Sequence, residues 1–102
     1  MSLATKIAIV IDIDLEDIVP GYLANRQKDI DDIAQALAKG DIDTIRILGH
    51  RMKGSGAGYG FDEITEIGRR IEIAAKEGDS TAIAADRENL MRYLQSIEII
   101  FK

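Results

Sequence analysis

His50 is the only histidine in the chain, and it stands within Leu48-Gly49-His50-Arg51-Met52-Lys53-Gly54-Ser55-Gly56-Ala57-Gly58-Tyr59-Gly60, a helix-like pattern loaded with glycine. A neutral imidazole is a nucleophile and a proton carrier near physiological pH. Lys53, three positions on, falls on the adjacent flank of a helix, where an ammonium can neutralise charge on a phosphoryl group attached to the ring. A glycine inside a helix costs about 0.8–1 kcal/mol relative to alanine. Gly54, one turn after His50, therefore needs a reason, and open access to a ring nitrogen for something bulky supplies one. Other chemistries fit less well. One histidine, no cysteine and no His-x-x-x-His or Glu-x-x-His pattern argue against a metal site, so no metal or cofactor of its own is expected. Ser55 lies about 140° around a helix from His50, too far for a Ser-His pair. No phosphate-binding glycine loop follows a strand, and no carboxylate cluster is evident beside His50, so kinase activity from ATP is not expected of this chain alone.

The elements that must position His50 read as helices. Residues 5–13 are β-branched and extended in character, but no second comparable run is evident to pair with them, so they are expected to form an extended N-terminal arm over residues 1–13. Met1-Ser2-Leu3 fits no later pattern and reads as an expression remnant. Asp14 is a plausible cap for a first helix from Leu15, with Ile18, Tyr22, Ile30, Ile33 and Leu37 at helical spacing; Pro20 with Gly21 should kink that helix or mark its true start. Lys39-Gly40 closes it. Asp41 starts a second helix with the stripe Ile45, Gly49, Met52, Gly56 and Tyr59. Gly58 to Gly60 turn the chain into a third, with Phe61, Ile64, Gly68, Ile71 and Ala75. Asp79 or Ser80 caps a fourth, with Ile83, Leu90, Leu94, Ile97 and Phe101. Short turns force neighbouring helices to run up and down. The fold expected over residues 14–102 is an all-α, antiparallel four-helix bundle.

On a wheel with Met52 at zero, the core stripe of the second helix centres near 20° and His50 falls at about 160°, facing solvent. Arg46, Lys53, Ala57 and Gly54 share that face, and Ile47 gives it an apolar edge. Gly49 and Gly56 lie on the core stripe, where close helix approach explains them. Folding the second and third helices back about Tyr59 and Gly60 sets His50 level with residue 69. Gly68, Arg69 and Arg70 then enter its neighbourhood, and one of the two arginines, taken here as Arg69, lines the site. The cations Arg46, Arg51 and Lys53 are expected to oppose further positive charge on the ring and leave a neutral nucleophile.

At 102 residues the chain is long enough for one domain with a single core. Its net charge of −5, from 18 acidic and 13 basic residues, argues against nucleic acid as a partner. No apolar run nears the roughly 18 residues of a membrane span, no leader is evident and cysteine is absent, which together suggest a cytoplasmic setting. The exposed Ile47 patch need not signal self-association, and a monomer is expected.

His50-Arg51-Met52-Lys53-Gly54-Ser55-Gly56, followed by Tyr59-Gly60-Phe61 and by Ile71-Glu72-Ile73-Ala74-Ala75, resembles the histidine-containing phosphotransfer (HPt) domain, whose signature is His-x-Leu-Lys-Gly-Ser/Ala with a glycine five or six residues on. The likeness runs over residues 15–101, and Met52 replaces the usual leucine at similar volume. It implies a phosphorelay intermediate of two-component signalling. His50 would accept a phosphoryl group from the phosphoaspartate of a response-regulator receiver domain and pass it to another receiver, within a pathway fed by a sensor or hybrid histidine kinase. Mg²⁺ would belong to the receiver. The acidic Mg²⁺ site of a receiver would be met by Arg46, Arg51, Lys53 and Arg69, with Ile47, Gly54, Ala57 and Gly58 as flat apolar contact. The rival expectation is a non-catalytic helical interaction module in which His50 is incidental.

Overall fold

The computed structural model describes residues 6–102; the Met1-Ser2-Leu3 expectation lies outside the described residues. Four helices follow one another: α1 (Val19–Lys39), α2 (Ile42–Ser55), α3 (Asp62–Lys76) and α4 (Ser80–Ser96). Consecutive helices pack side by side and α1 also meets α4, which closes the expected antiparallel bundle. Tyr22, Ile30 and Ile33 of α1, Ile45 and Met52 of α2, Ile64, Ile67 and Ile71 of α3, and Ile83 and Leu90 of α4 are buried, so the helical stripes meet in one core.

α1 begins at Val19, not at Leu15, and Asp14 does not cap it. Pro20 falls in the first turn, where its missing N–H has no intrahelical acceptor to lose, so it starts the helix instead of kinking it. Before it, residues Ile13–Leu15 form a separate 3-10 turn in which the Asp12 carboxylate accepts from the Asp14 N–H at 2.9 Å. Ile18, expected in the apolar stripe, consequently lies outside the helix and is 50% exposed. Gly40, in the left-handed region at φ 72°, ends α1 with its N–H on the carbonyls of Ala36 and Leu37.

α4 stops at Ser96, and Ile97–Phe101 is a strand, β2, not a helical continuation. It pairs in parallel with β1 (Ile7–Ile11), register Ile7↔Ile97 through Ile11↔Phe101. The extended arm is therefore half of a two-stranded sheet whose partner run, Ile-Glu-Ile-Ile-Phe, stands at the other end of the sequence. Ile11 is buried, and Ile9, Ile97, Ile99 and Phe101 pack against the core.

Candidate functional site

α2 carries the histidine, and its start is fixed by Asp41, whose carboxylate accepts from the Thr44 N–H at 3.2 Å and the Thr44 hydroxyl at 2.6 Å. Those bonds, the hydroxyl one first, hold the Asp41 carboxyl below its usual range. Along α2, Ile45 and Met52 point into the core and Gly49 faces α3. A Cβ on Gly49 would stand 2.9 Å from the Gly68 carbonyl oxygen and 2.7 Å from the Glu72 nitrogen. Gly68 is equally tight, its missing Cβ directed at Lys53 N and Met52 Cβ. These two glycines let α2 and α3 touch at backbone distance.

That contact sets the register of the site. Backbone contacts of Gly49 with Gly68 and Glu72, and of Gly68 with Gly49 and Lys53, set His50 level with about residue 69, as the fold-back about Tyr59 and Gly60 predicts. Glu72, one turn further along α3, reaches the ring because helical side chains lean toward their own N-terminus. The link between the helices is a 3-10 turn at Ala57–Tyr59, a left-handed Gly60 at φ 96° and the extended Phe61. Phe61 itself is fully buried and anchors the link.

A single carboxylate, not a cluster, stands beside His50, and the sequence reading did not foresee it. His50 Nδ1 lies 2.9 Å from Glu72 Oε2, and Lys53 Nζ lies 2.6 Å from Glu72 Oε1. Lys76 Nζ stands 3.9 Å from Oε2. The Glu72 side chain is only 7% exposed, whereas that of His50 is 65% exposed. The Lys53 hydrogen bond holds the Glu72 carboxyl below its usual range, burial opposes it, and the His50 bond adds to it. An ionised carboxylate can only accept, so Nδ1 carries the proton and donates it to Glu72. Nε2 meets no protein partner among the described residues. Glu72 also places negative charge against the ring, so the field at His50 is not simply cationic.

The other expected site residues fall as follows. Lys53 flanks His50, tethered to the same carboxylate. Arg46 is bound to Asp43 at 2.9 Å and Arg69 to Glu66 at 2.7 Å, so each brings its own counter-charge. Arg70 turns away to Asp86 at 3.0 Å and Glu63 at 3.6 Å, which leaves Arg69 as the one of the pair that does not face α4. Arg51 lines a groove between α1 and α2 with Asp32, Gln35, Leu48 and Thr44. Ile47 is 37% exposed, and a Cβ at Gly54 or Gly58 would meet nothing within 4 Å. Ala57 is exposed, with its N–H donated to the Thr65 hydroxyl at 2.8 Å. Ser55 is engaged elsewhere, its hydroxyl 2.9 Å from that of Tyr22.

Glu72 is the side chain of this site that the sequence reading missed. A usable signal existed in the two glycines: pairing Gly49 with Gly68 as the point of closest approach places Glu72 one turn further along α3, from where its side chain, leaning toward the N-terminus of its own helix, reaches back to His50.

Taken together, the arrangement offers a solvent-facing Nε2, its tautomer fixed from behind, an ammonium beside it and bare backbone around it. It can attack an electrophile delivered by a partner. Residues 17–98 match the model of one family, described as the Hpt domain. No curated protein and no solved structure matches the chain. With four antiparallel helices, the histidine on the second and the family match over most of the sequence, the chain belongs to the Hpt domain family, whose role is histidine phosphotransfer in two-component signalling.

Proposed function

We propose that His50 is the phosphoryl acceptor and donor of a phosphorelay. A receiver domain docks on the exposed face of α2, and Nε2 attacks the phosphorus of its phosphoaspartate in line. The N–P bond forms as the acyl P–O bond breaks, and the electron pair leaves with the aspartate carboxylate. No proton need depart from Nε2, because the ring proton is on Nδ1. Positive charge that develops on the imidazole is met by Glu72, as a carboxylate behind a histidine does in other nucleophilic sites. Lys53 stands where it can exchange Glu72 for the arriving phosphoryl oxygens. The reverse step returns the group to the aspartate of a second receiver. Mg²⁺ is supplied by the receiver, and this chain provides nucleophile, orientation and docking surface.

The observation that carries this reading is the division of the imidazole: Nδ1 held at 2.9 Å by a buried carboxylate, Nε2 open to solvent. A histidine incidental to a helical interaction module would need no buried carboxylate behind it. The partners proposed are receiver domains and, upstream of them, a sensor or hybrid histidine kinase, in the cytoplasm. Among the described residues no helix is long and apolar enough to cross a membrane.

Incubation with a phosphorylated receiver and Mg²⁺ tests the proposal. The expected product is an acid-labile, base-stable label on His50 that is absent from a folded His50→Gln variant. Label retained in that variant, or no label from any of a panel of phosphorylated receivers, refutes it.

A further inference from the structure

Of the large apolar side chains left exposed, Ile7, Val10, Ile13 and Ile100 gather at the β1–β2 sheet, away from α2. The ladder shows which main-chain groups are free there. Lys102 N–H donates to the Ile11 carbonyl at 3.0 Å, and Ile13 N–H donates to the Lys102 carbonyl at 2.9 Å. Odd-numbered residues of β1 therefore present their main chain to β2. Alternate residues of a parallel strand face the other way, so the N–H and C=O groups of Ala8 and Val10 point out of the sheet. No main-chain group among the described residues pairs with them. Edge strands are usually guarded by a charge, a proline or a bulge. β1 reads Ile-Ala-Ile-Val-Ile and has none of these, whereas β2 carries a charge, Glu98.

We propose that a second copy of this chain covers the β1 edge, the two β1 strands pairing antiparallel about a twofold axis at Ile9. In that register Ala8 stands opposite the copy's Val10, and the two exchange both of their outward hydrogen bonds. Ile7 stands opposite Ile11. Lys6 and Asp12, exposed residues that bracket the strand, come to face one another across the axis, cation to carboxylate at both ends. A parallel pairing would set Lys6 beside Lys6 and Asp12 beside Asp12. A one-residue slip would turn the Ala8 and Val10 groups away from their acceptors, and a two-residue slip would lose the charge match. Only the twofold arrangement satisfies the edge, the apolar alternation and the end charges together, and it closes as a dimer with the guarded β2 strands outermost. The proposed dimer departs from the monomer expected from the sequence. No residue of α2 takes part, so this inference stands apart from the reading of His50.

Sedimentation equilibrium of the whole chain over a rising concentration series is expected to approach twice the chain mass. Val10→Pro removes an N–H that no described residue uses and puts a ring on the free edge, a position where proline is tolerated. That variant is expected to keep the helical circular dichroism of the parent and to remain at one chain mass. Because the sequence has no cysteine, Ile9→Cys introduces a single thiol. On the proposed axis it faces its own copy in a non-hydrogen-bonded pair, at a Cα separation of about 4.5 Å that a disulfide spans. It should cross-link in a glutathione redox buffer, and Ala8→Cys much less. One chain mass up to about 1 mM, the weak limit of specific association, overturns the proposal. So does a dimer that survives Val10→Pro, or one that Ile9→Cys does not trap.

Discussion

Replacing Gly54 by alanine should make the protein more stable and less active. The space around Gly54 is open, with nothing within 4 Å of a Cβ built there, and its backbone is ordinary helix in the last turn of α2. The substitution therefore adds no clash and removes conformational freedom from the unfolded chain, a gain of about 0.5–1 kcal/mol. For a domain of this size that corresponds to a melting temperature raised by about 2–8 °C. The same methyl stands one turn beyond His50 on the face from which Nε2 is approached. It would hold a docked receiver off by about one methyl contact, and an error of roughly 1 Å in the position of reacting groups costs up to about 100-fold in rate. Transfer from a phosphorylated receiver to His50 should accordingly fall by about 10- to 100-fold. Denaturant unfolding gives the first number, and a rapid-quench time course of label on His50 gives the second. A loss of stability would show that Gly54 is packed, contrary to the structure. A gain in stability with transfer unchanged would show that this part of α2 is not where the partner docks, and the functional account of the glycine would fall.

Gly68→Ala should behave in the opposite way, because its Cβ meets Lys53 N and Met52 Cβ on α2; overpacking should cost about 1–3 kcal/mol in denaturant unfolding and, by parting α2 from α3, weaken the His50–Glu72 bond as well. Glu72→Gln keeps the shape but removes the charge. Transfer to His50 should drop by about tenfold or more with the fold retained, read by the same quench assay, since the amide cannot both accept from Nδ1 and satisfy Lys53. The pH dependence has a definite sign. Glu72 is held below its ordinary value of 4.5, chiefly by Lys53, so it contributes stability above that value that is lost as pH falls through the folded one. The stability gap between parent and Glu72→Gln should thus narrow in acid, as followed by urea unfolding between neutral pH and pH 3. At the alkaline end, burial pushes the Tyr93 phenol up to about 12, so stability present below pH 10 is lost as pH rises through 12. Absorbance titration of the phenolates should show a late step that Tyr93→Phe removes.

The helices were legible in the sequence because their signals are local. Asp41, Gly40 and Asp79 act within one turn of themselves, and the stripes of α2 and α3 read directly onto buried faces. β2 was not legible, and the reason lies in its spacing. Ile97 and Phe101 stand four apart and continue the α4 stripe, while Ile97, Ile99 and Phe101 stand two apart and suit a strand equally well. What decides between them is β1, some ninety residues away, whose open main chain rewards an extended partner. No window along the chain contains that information. The terminal sheet and the site share this property, since each depends on a pairing between segments.

His50 itself stood out by type and by the glycines around it, but the chemistry of an imidazole depends on which nitrogen holds the proton, and that is settled by Glu72, twenty-two positions on. In the sequence Glu72 looks like any acid on a helix beside buried Ile71. It reaches the ring only because Gly49 and Gly68 bring two backbones into contact, which sinks its carboxylate between α2 and α3 while leaving the imidazole outside. The glycines of this segment thus divide the labour. Gly49 and Gly68 bring a negative charge to the back of the ring, and Gly54 and Gly58 keep the front clear. Filling either pair should impair transfer, but only filling the first should cost the fold, and that difference in sign separates a glycine kept for packing from one kept for a partner.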